Sequence, residues 1–301
     1  MHRHSSKLSL LLLFPLLLSC AFAGTYSADL SVNWNGEIRY YDLYLPTHMA
    51  TRPALFVMLQ ATQVGAGIPP AMDRPALRAL ADKEGFIVLW PTASYVAGSN
   101  SWFWDAYFLD YAFAPGTDDS GYIRYLILAM EAAYPIDRGA VFVGGFSSGA
   151  FMAHRVGIDS ADLVAAVGAV SGQLYTAKSV GILPQPLLPV SLLIMNGDAD
   201  PRVGYCGQQH NWGDSTSPSV DVTVDWWIAA DACRQVSTTQ LLCTSKEPTN
   251  GAMGLDATAC AGGAEVLFVR EVGVGHTWVP GTETVLWQFF DQHRRITSGT
   301  Q

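Results

Sequence analysis

The pentapeptide Gly145-Phe146-Ser147-Ser148-Gly149 lies between a short apolar run, Ala140 to Val143, and a helix-forming stretch, Gly149 to Val156. A Gly-x-Ser-x-Gly segment in that setting predicts a sharp strand-to-helix turn that lifts the serine hydroxyl out of the fold, with glycines on either side letting the two backbones approach closely. Ser147 is the candidate nucleophile. The backbone N–H of Ser148, at the start of the helix, points where a tetrahedral oxyanion would form. A serine hydroxyl is nearly inert at neutral pH without a base, and the sequence holds seven histidines. His2 and His4 fall in the N-terminal leader, His48 precedes the core, His154 sits on the helix after Ser147 facing away from its N-terminus, and His293 closes the last helix. His210 and His276 remain. His276 occupies the loop Gly273-Val274-Gly275-His276-Thr277-Trp278, between the last strand and the last helix, where a base can reach the turn. His210 reads as a residue of a cysteine-bearing loop. The acid that orients the imidazole is expected after the strand Ser191 to Met195, in Asn196-Gly197-Asp198-Ala199-Asp200-Pro201, where either aspartate can reach by spacing. The chemistry implied is acyl transfer through serine, with no metal or cofactor required.

These side chains need a scaffold that presents strand ends and loops together. Arg39 to Leu45 alternates as a half-exposed strand, whereas Ala54 to Leu59, Phe86 to Trp90 and Ala140 to Val143 are short apolar runs of buried strands, and further apolar strands occupy Val164 to Val170, Ser191 to Met195 and Glu265 to Val272. Helical patterns occupy Pro75 to Lys83, Gly121 to Tyr134, Gly149 to Val156, Val220 to Ala230 and Glu283 to His293. Strand and helix alternate, which predicts an α/β fold: a mostly parallel, doubly wound sheet with helices on both faces. No linker separates these elements, so residues 24–301 are expected to form one catalytic domain. Two stretches lack a period, Ala93 to Thr117 and Gln173 to Pro189, and are expected above the carboxyl ends of the strands, where ligands bind. The first contains Trp102, Phe103, Trp104 and Tyr107, and Trp278 follows the candidate base by two residues. Trp102, Trp104 and Trp278 are candidate substrate-binding residues, with core packing the competing reading.

The 301 residues carry 17 Lys plus Arg against 26 Asp plus Glu, a formal charge of -9 that disfavours nucleic acid and anionic polymers as partners. Half the residues are hydrophobic, which excludes disorder, yet no apolar run reaches the roughly 20 residues of a membrane span. Arg3, His4 and Lys7 followed by the apolar run Leu10 to Leu18 and by Ala21-Phe22-Ala23 read as a signal peptide, residues 1–23, cleaved before Gly24. A lipoprotein box ending at Cys20 is the alternative. Secretion would leave Cys206, Cys233, Cys243 and Cys260 in an oxidising compartment, so two disulfides are expected, and their spacing offers no zinc motif. A monomer is expected.

Arg39 to Pro46, Asp82 to Phe86, Gly145 to Gly149, Asn196 to Pro201 and Gly275 to Trp278 together resemble the secreted polyhydroxybutyrate depolymerase, feruloyl esterase and acetylxylan esterase group of α/β-hydrolases. The resemblance runs from about Ile38 to Phe290 and implies the α/β-hydrolase fold and serine carboxylesterase activity. It assigns Asp200 as the acid and leaves Asp198 as a loop-capping group, and it implies a Cys233–Cys260 pair, leaving Cys206 to Cys243. Neutral polyester such as polyhydroxyalkanoate, including aromatic polyesters, is the expected substrate, with feruloyl or acetyl groups on plant polysaccharide as the alternative. One departure stands out. The group carries Leu-His-Gly after its second buried strand, where this chain has Leu59-Gln60-Ala61-Thr62. The second oxyanion donor is then expected from the backbone of Ala61 or Thr62, with Gln60 as a hydrogen-bonding group beside the substrate, and a turn without glycine is expected to be reshaped. That departure also motivates a non-catalytic binding homologue as the competing class.

Overall fold

A computed structural model describes residues 24–65, 67, 74–106, 117–174, 184–209, 216–238 and 253–296. Its strands are β1 (Thr25–Trp34), β2 (Glu37–Leu45), β3 (Leu55–Leu59), β4 (Gln63–Val64), β5 (Ile87–Pro91), β6 (Ser94–Val96), β7 (Ser101–Phe103), β8 (Val141–Phe146), β9 (Ala166–Val170), β10 (Ser191–Gly197), β11 (Gln208–Gln209), β12 (Thr216–Ser217), β13 (Gln235–Thr238), β14 (Met253–Thr258) and β15 (Val266–Glu271). Its helices are α1 (Pro75–Glu84), α2 (Asp119–Ala133), α3 (Ser148–Asp159), α4 (Val220–Ala230) and α5 (Thr282–Gln292). Every residue of β3, β5, β9 and β10 is buried, which is possible only for strands with neighbours on both sides and helices on both faces. They lie accordingly in the middle of a ten-stranded sheet of order β1-β2-β5-β3-β8-β9-β10-β15-β14-β13. The run from β5 to β15 is parallel, and antiparallel strands complete both edges.

The two faces carry separate cores. Leu77 and Ala81 of α1 and Leu286, Trp287, Phe289 and Phe290 of α5 pack on Phe56, Val88, Phe142 and Leu193. On the other face, Tyr122 to Met130 of α2, Phe151 to Val156 of α3 and Val220, Val224 and Trp227 of α4 cover Val57, Leu89, Val143, Val167 and Ile194. This is the α/β-hydrolase arrangement. Strand β1 has no counterpart among the sequence expectations, because it is a largely exposed edge whose register with β2 shifts between Ser27 and Leu30, breaking the two-residue period. The stretch expected to be irregular from Ala93 is in part a second sheet, in which β7 pairs with both β4 and β6. The signal-peptide reading lies outside the described residues, as do Tyr107 and His210. Among the described residues no helix is long and apolar enough to cross a membrane.

One disulfide joins Cys233, just after α4, to Cys260 ahead of β15. Cys206 is exposed, and its expected partner Cys243 lies outside the described residues. Next to the disulfide, Asp231 is wholly buried: one carboxylate oxygen accepts the Val190 N–H at 3.1 Å and the other has no partner. Burial pushes its pKa up to about 7 from an ordinary 3.8. Between those values the folded chain holds a proton that the unfolded chain has released, so stability falls as pH rises through this window. Asp231→Asn keeps the acceptor and removes the titration. Its melting temperature should exceed the parent's at pH 8, and the advantage should vanish near pH 4.

Candidate active site

At the junction of β8 and α3, Ser147 adopts φ 56° and ψ -121°, a left-handed conformation rare for a residue with a side chain. The reason for it is close packing around the turn. A Cβ on Gly145 would lie 2.1 Å from the Gly149 carbonyl oxygen, and one on Gly149 would lie 2.3 Å from the Leu59 oxygen and 2.6 Å from the Gln60 oxygen. Helix α3 therefore begins against the end of β3, and the turn has no room to relax. Its N–H to the Val170 carbonyl, 3.0 Å, ties Ser147 to the end of β9. Ser148 opens the helix, so its N–H has no carbonyl one turn back to bond.

The Ser147 hydroxyl lies 2.9 Å from Nε2 of His276, and Nδ1 of His276 lies 2.7 Å from the Asp200 carboxylate. A carboxylate can only accept there, so Nδ1 carries the proton and Nε2 faces the serine hydroxyl as an acceptor. Asp200 has its other oxygen on the N–H groups of Arg202, 2.8 Å, and Val203, 2.9 Å. Burial alone would push its pKa up. The hydrogen bonds from His276, Val203 and Arg202 outweigh that and hold it below the usual carboxylate range, so it is ionised.

Asp198, the other aspartate of the loop, does not touch His276. It accepts from Nε of Arg270 at 2.8 Å and from the Gly273 N–H at 2.6 Å, and so fixes the start of the loop that carries His276. A Cβ on Gly197 would meet the Val274 oxygen at 2.1 Å, and the Ala199 N–H donates to that same oxygen at 3.1 Å. The acid loop and the base loop are thus seated on each other above paired strands β10 and β15.

Several expectations need correction. Trp104 is wholly buried and Trp102 is 8% exposed, so neither stands at an entrance. Their indole N–H groups are spent on backbone carbonyls: Trp104 on Gln60 at 2.9 Å, Trp102 on Gly65 at 3.0 Å. Trp278 is likewise buried. It donates to Glu283 at 3.1 Å, lies under the Arg74 guanidinium at 4.6 Å and meets Phe146 edge-on, and Phe146 in turn lies beside the His276 ring. The Gln60 side chain is 1% exposed and neither polar atom of its amide has a partner, so it makes no hydrogen bond to the triad. Ala61 is half-buried and Thr62 exposed at the end of β3. Ala61 is absent from the positive-φ residues, so this turn is built without a left-handed residue.

His154, on α3 and set aside by its direction, has a structural part. Trp227 of α4 donates to its Nδ1 at 3.1 Å, which leaves the proton on Nε2, 3.3 Å from the Gly172 carbonyl. Full burial pushes its pKa down to about 4, so it is neutral across the neutral range. It braces the strand end beside Ser147. Arg39 and Asp119, an ion pair at 2.7 Å with almost no exposure, also escaped the sequence reading, because their pairing spans 80 residues.

The α/β-hydrolase fold and a Ser-His-Asp constellation define the class. Within it, residues 39–183 match the family described as esterase PHB depolymerase. A probable acetylxylan esterase A from Aspergillus fumigatus is 30% identical over 145 residues, 46% of this chain and 36% of that protein. Acetylxylan esterase A of Aspergillus awamori is 29% identical over 130 residues, 43% of this chain and 41% of that one. The chain thus spans less than half the length of either relative. Among solved structures, an acetyl xylan esterase from Aspergillus awamori superposes with a TM-score of 0.56 at 18% identity, covering 89% of this chain and all of that one. The S954A feruloyl esterase module from Clostridium thermocellum, complexed with sinapinate, gives 0.55 at 14% identity, covering 94% and 93%. The group named from the sequence is the one these comparisons return.

Gly149→Ala tests the packing at the turn. A methyl group 2.3 Å from the backbone oxygen of Leu59 cannot be relieved by a rotamer change, so β3 or α3 must move. The rate at which a fluorophosphonate labels Ser147 is expected to drop at least a hundredfold in protein that still melts cooperatively.

Proposed function

We propose that the chain is a secreted carboxylic ester hydrolase acting through an acyl-enzyme on Ser147. The observation that carries this reading is the continuous path from the Ser147 hydroxyl through His276 to Asp200, 2.9 and 2.7 Å, at the carboxyl ends of the strands. His276 Nε2 takes the hydroxyl proton as the Ser147 oxygen attacks the ester carbonyl, and Asp200 stabilises the imidazolium that forms. The oxyanion receives the Ser148 N–H and a second N–H from Ala61 or Thr62. The proton on Nε2 then passes to the leaving alcohol, and water repeats the sequence to release the acid. Ionised Asp200 supports this reading, as does the Cys233–Cys260 disulfide for export to an oxidising compartment.

Neutral polyester such as polyhydroxyalkanoate is the proposed substrate, supported by the family match and by the formal charge of -9, which disfavours anionic polymers. With Trp102 and Trp104 buried, nothing speaks for aromatic polyesters in particular. The acetylxylan esterases among the relatives favour a second reading, acetyl or feruloyl ester on plant polysaccharide.

Wild-type protein should cleave p-nitrophenyl acetate and label with a fluorophosphonate, and Ser147→Ala should do neither. Asp200→Asn, which leaves His276 free to take the wrong tautomer, should lower kcat by about 10⁴-fold. Product analysis on polyhydroxybutyrate film, methyl ferulate and acetylated xylan decides the substrate. Hydroxy acid is the expected product, and acetate or ferulate alone would establish the second reading. A folded protein that neither labels nor turns over any of these esters is a binding homologue.

A further inference from the structure

The segment proposed to carry the second oxyanion donor, after β3, has Gln60-Ala61 where the resembling group has His-Gly, and the structure contains a separate device bearing on that segment. Residues 60–65 are held from the outside along their length. The Gln60 carbonyl accepts the Trp104 indole N–H at 2.9 Å, and the Gly65 carbonyl accepts that of Trp102 at 3.0 Å. Gln63 and Val64 pair as β4 with Trp102 and Ser101 of β7, and the Gly65 N–H donates to the Asn100 carbonyl at 2.8 Å.

The holder is itself anchored. Asp105, next to Trp104, gives its N–H to a carboxylate oxygen of buried Asp119 at 2.7 Å, and its own carboxylate meets Arg155 of α3 at 3.2 Å. The other Asp119 oxygen takes Arg39 at 2.7 Å and the Ser94 hydroxyl at 2.8 Å. Trp104 is thereby referenced to α2 and to α3, the helix whose first residues carry Ser147 and Ser148.

We infer that Trp104 is a positioning residue for the segment Ala61 to Thr62, which carries the second oxyanion donor of the proposed mechanism. No peptide bond of the described chain is cis, so in the planar unit joining Gln60 to Ala61 the N–H points opposite to the C=O. A hydrogen bond that fixes the Gln60 oxygen therefore fixes the direction of the Ala61 N–H. Glycine at this position would set the turn by its backbone freedom, whereas here an indole on a neighbouring small sheet sets it. The aromatic pair, with no place at an entrance, acts on the reaction through the peptide it holds. This rests on the reading of Ser147 as the acylated nucleophile.

The test is Trp104→Phe in the full chain, assayed on p-nitrophenyl acetate and by rate of fluorophosphonate labelling. Misdirecting one donor should lower kcat about ten- to a hundredfold, below the cost of deleting it, with KM within twofold, and should slow phosphonylation in parallel. Trp102→Phe, which frees the far end at Gly65, should lower kcat less than fivefold. A wild-type-like kcat in folded Trp104→Phe would overturn the inference, as would a loss confined to KM. Should Trp104→Phe fail to fold, replacing Trp104 with benzothienylalanine keeps the ring shape and removes only the N–H donor. Unchanged kcat in that variant would equally overturn the inference. Wild-type protein that never labels sinks the esterase reading instead, whereas labelling at equal rates in wild type and Trp104→Phe sinks only the role of Trp104.

Discussion

The site depends on one strained residue. A non-glycine residue at φ 56° costs on the order of 1–3 kcal/mol, and it persists only where the surroundings leave no alternative. At Ser147 those surroundings are the Val170 carbonyl on its N–H, the N–H groups of Ala150 and Phe151 on its own carbonyl, and the end of β3 against Gly149. The strain turns the hydroxyl out of the sheet and, in the same step, brings the first N–H of α3 beside it. The Ser147 hydroxyl and the Ser148 N–H are thus placed by one geometric decision. His154 extends that decision outward, since its neutral imidazole links α4, through Trp227, to the carbonyl of Gly172, whose Cα is packed against the first turn of α3.

The rest of the triad is positioned by strand pairing. Asp200 and His276 are 76 residues apart, yet each follows a strand, and β10 and β15 are neighbours in register, Asn196 beside Arg270 and Gly197 beside Glu271. Because the strands end level, the loops start level. Asp198, with Arg270 and the Gly273 N–H, then closes the gap between them. The two aspartates that spacing could not tell apart have separate contacts, Asp200 on the His276 imidazole and Asp198 on the loop that carries it.

Much of this was legible in the sequence, for identifiable reasons. Strands buried on both faces announce themselves as apolar runs, and β3, β5, β8, β9 and β10 all fell on such runs, whereas β15, also expected from an apolar run, is half-buried along much of its length. The Ser147 turn and the Asp200 loop carry glycines because close packing demands them, as the contacts of Gly145, Gly149 and Gly197 show. What stayed hidden depends on pairing rather than pattern. Strand β1 is an exposed edge, β4, β6 and β7 are two or three residues long, and the Arg39–Asp119 ion pair joins positions that no local period connects.

The fate of the aromatic cluster follows from the same physics. Flat apolar side chains above a sheet suggested a binding surface, but an indole has a polar edge as well as a large face, and its N–H usually finds an acceptor when buried. A segment leaving the sheet has the complementary need, since its carbonyls lose their strand partners where the ladder ends. At Gln60 and Gly65 those two requirements satisfy each other. An aromatic-rich connection can therefore replace a glycine-built turn: the glycine gives a backbone the freedom to adopt a conformation, whereas the indole removes the freedom to leave one. The two indole N–H groups are thus engaged by the backbone of residues 60 and 65 and are not left for a ligand.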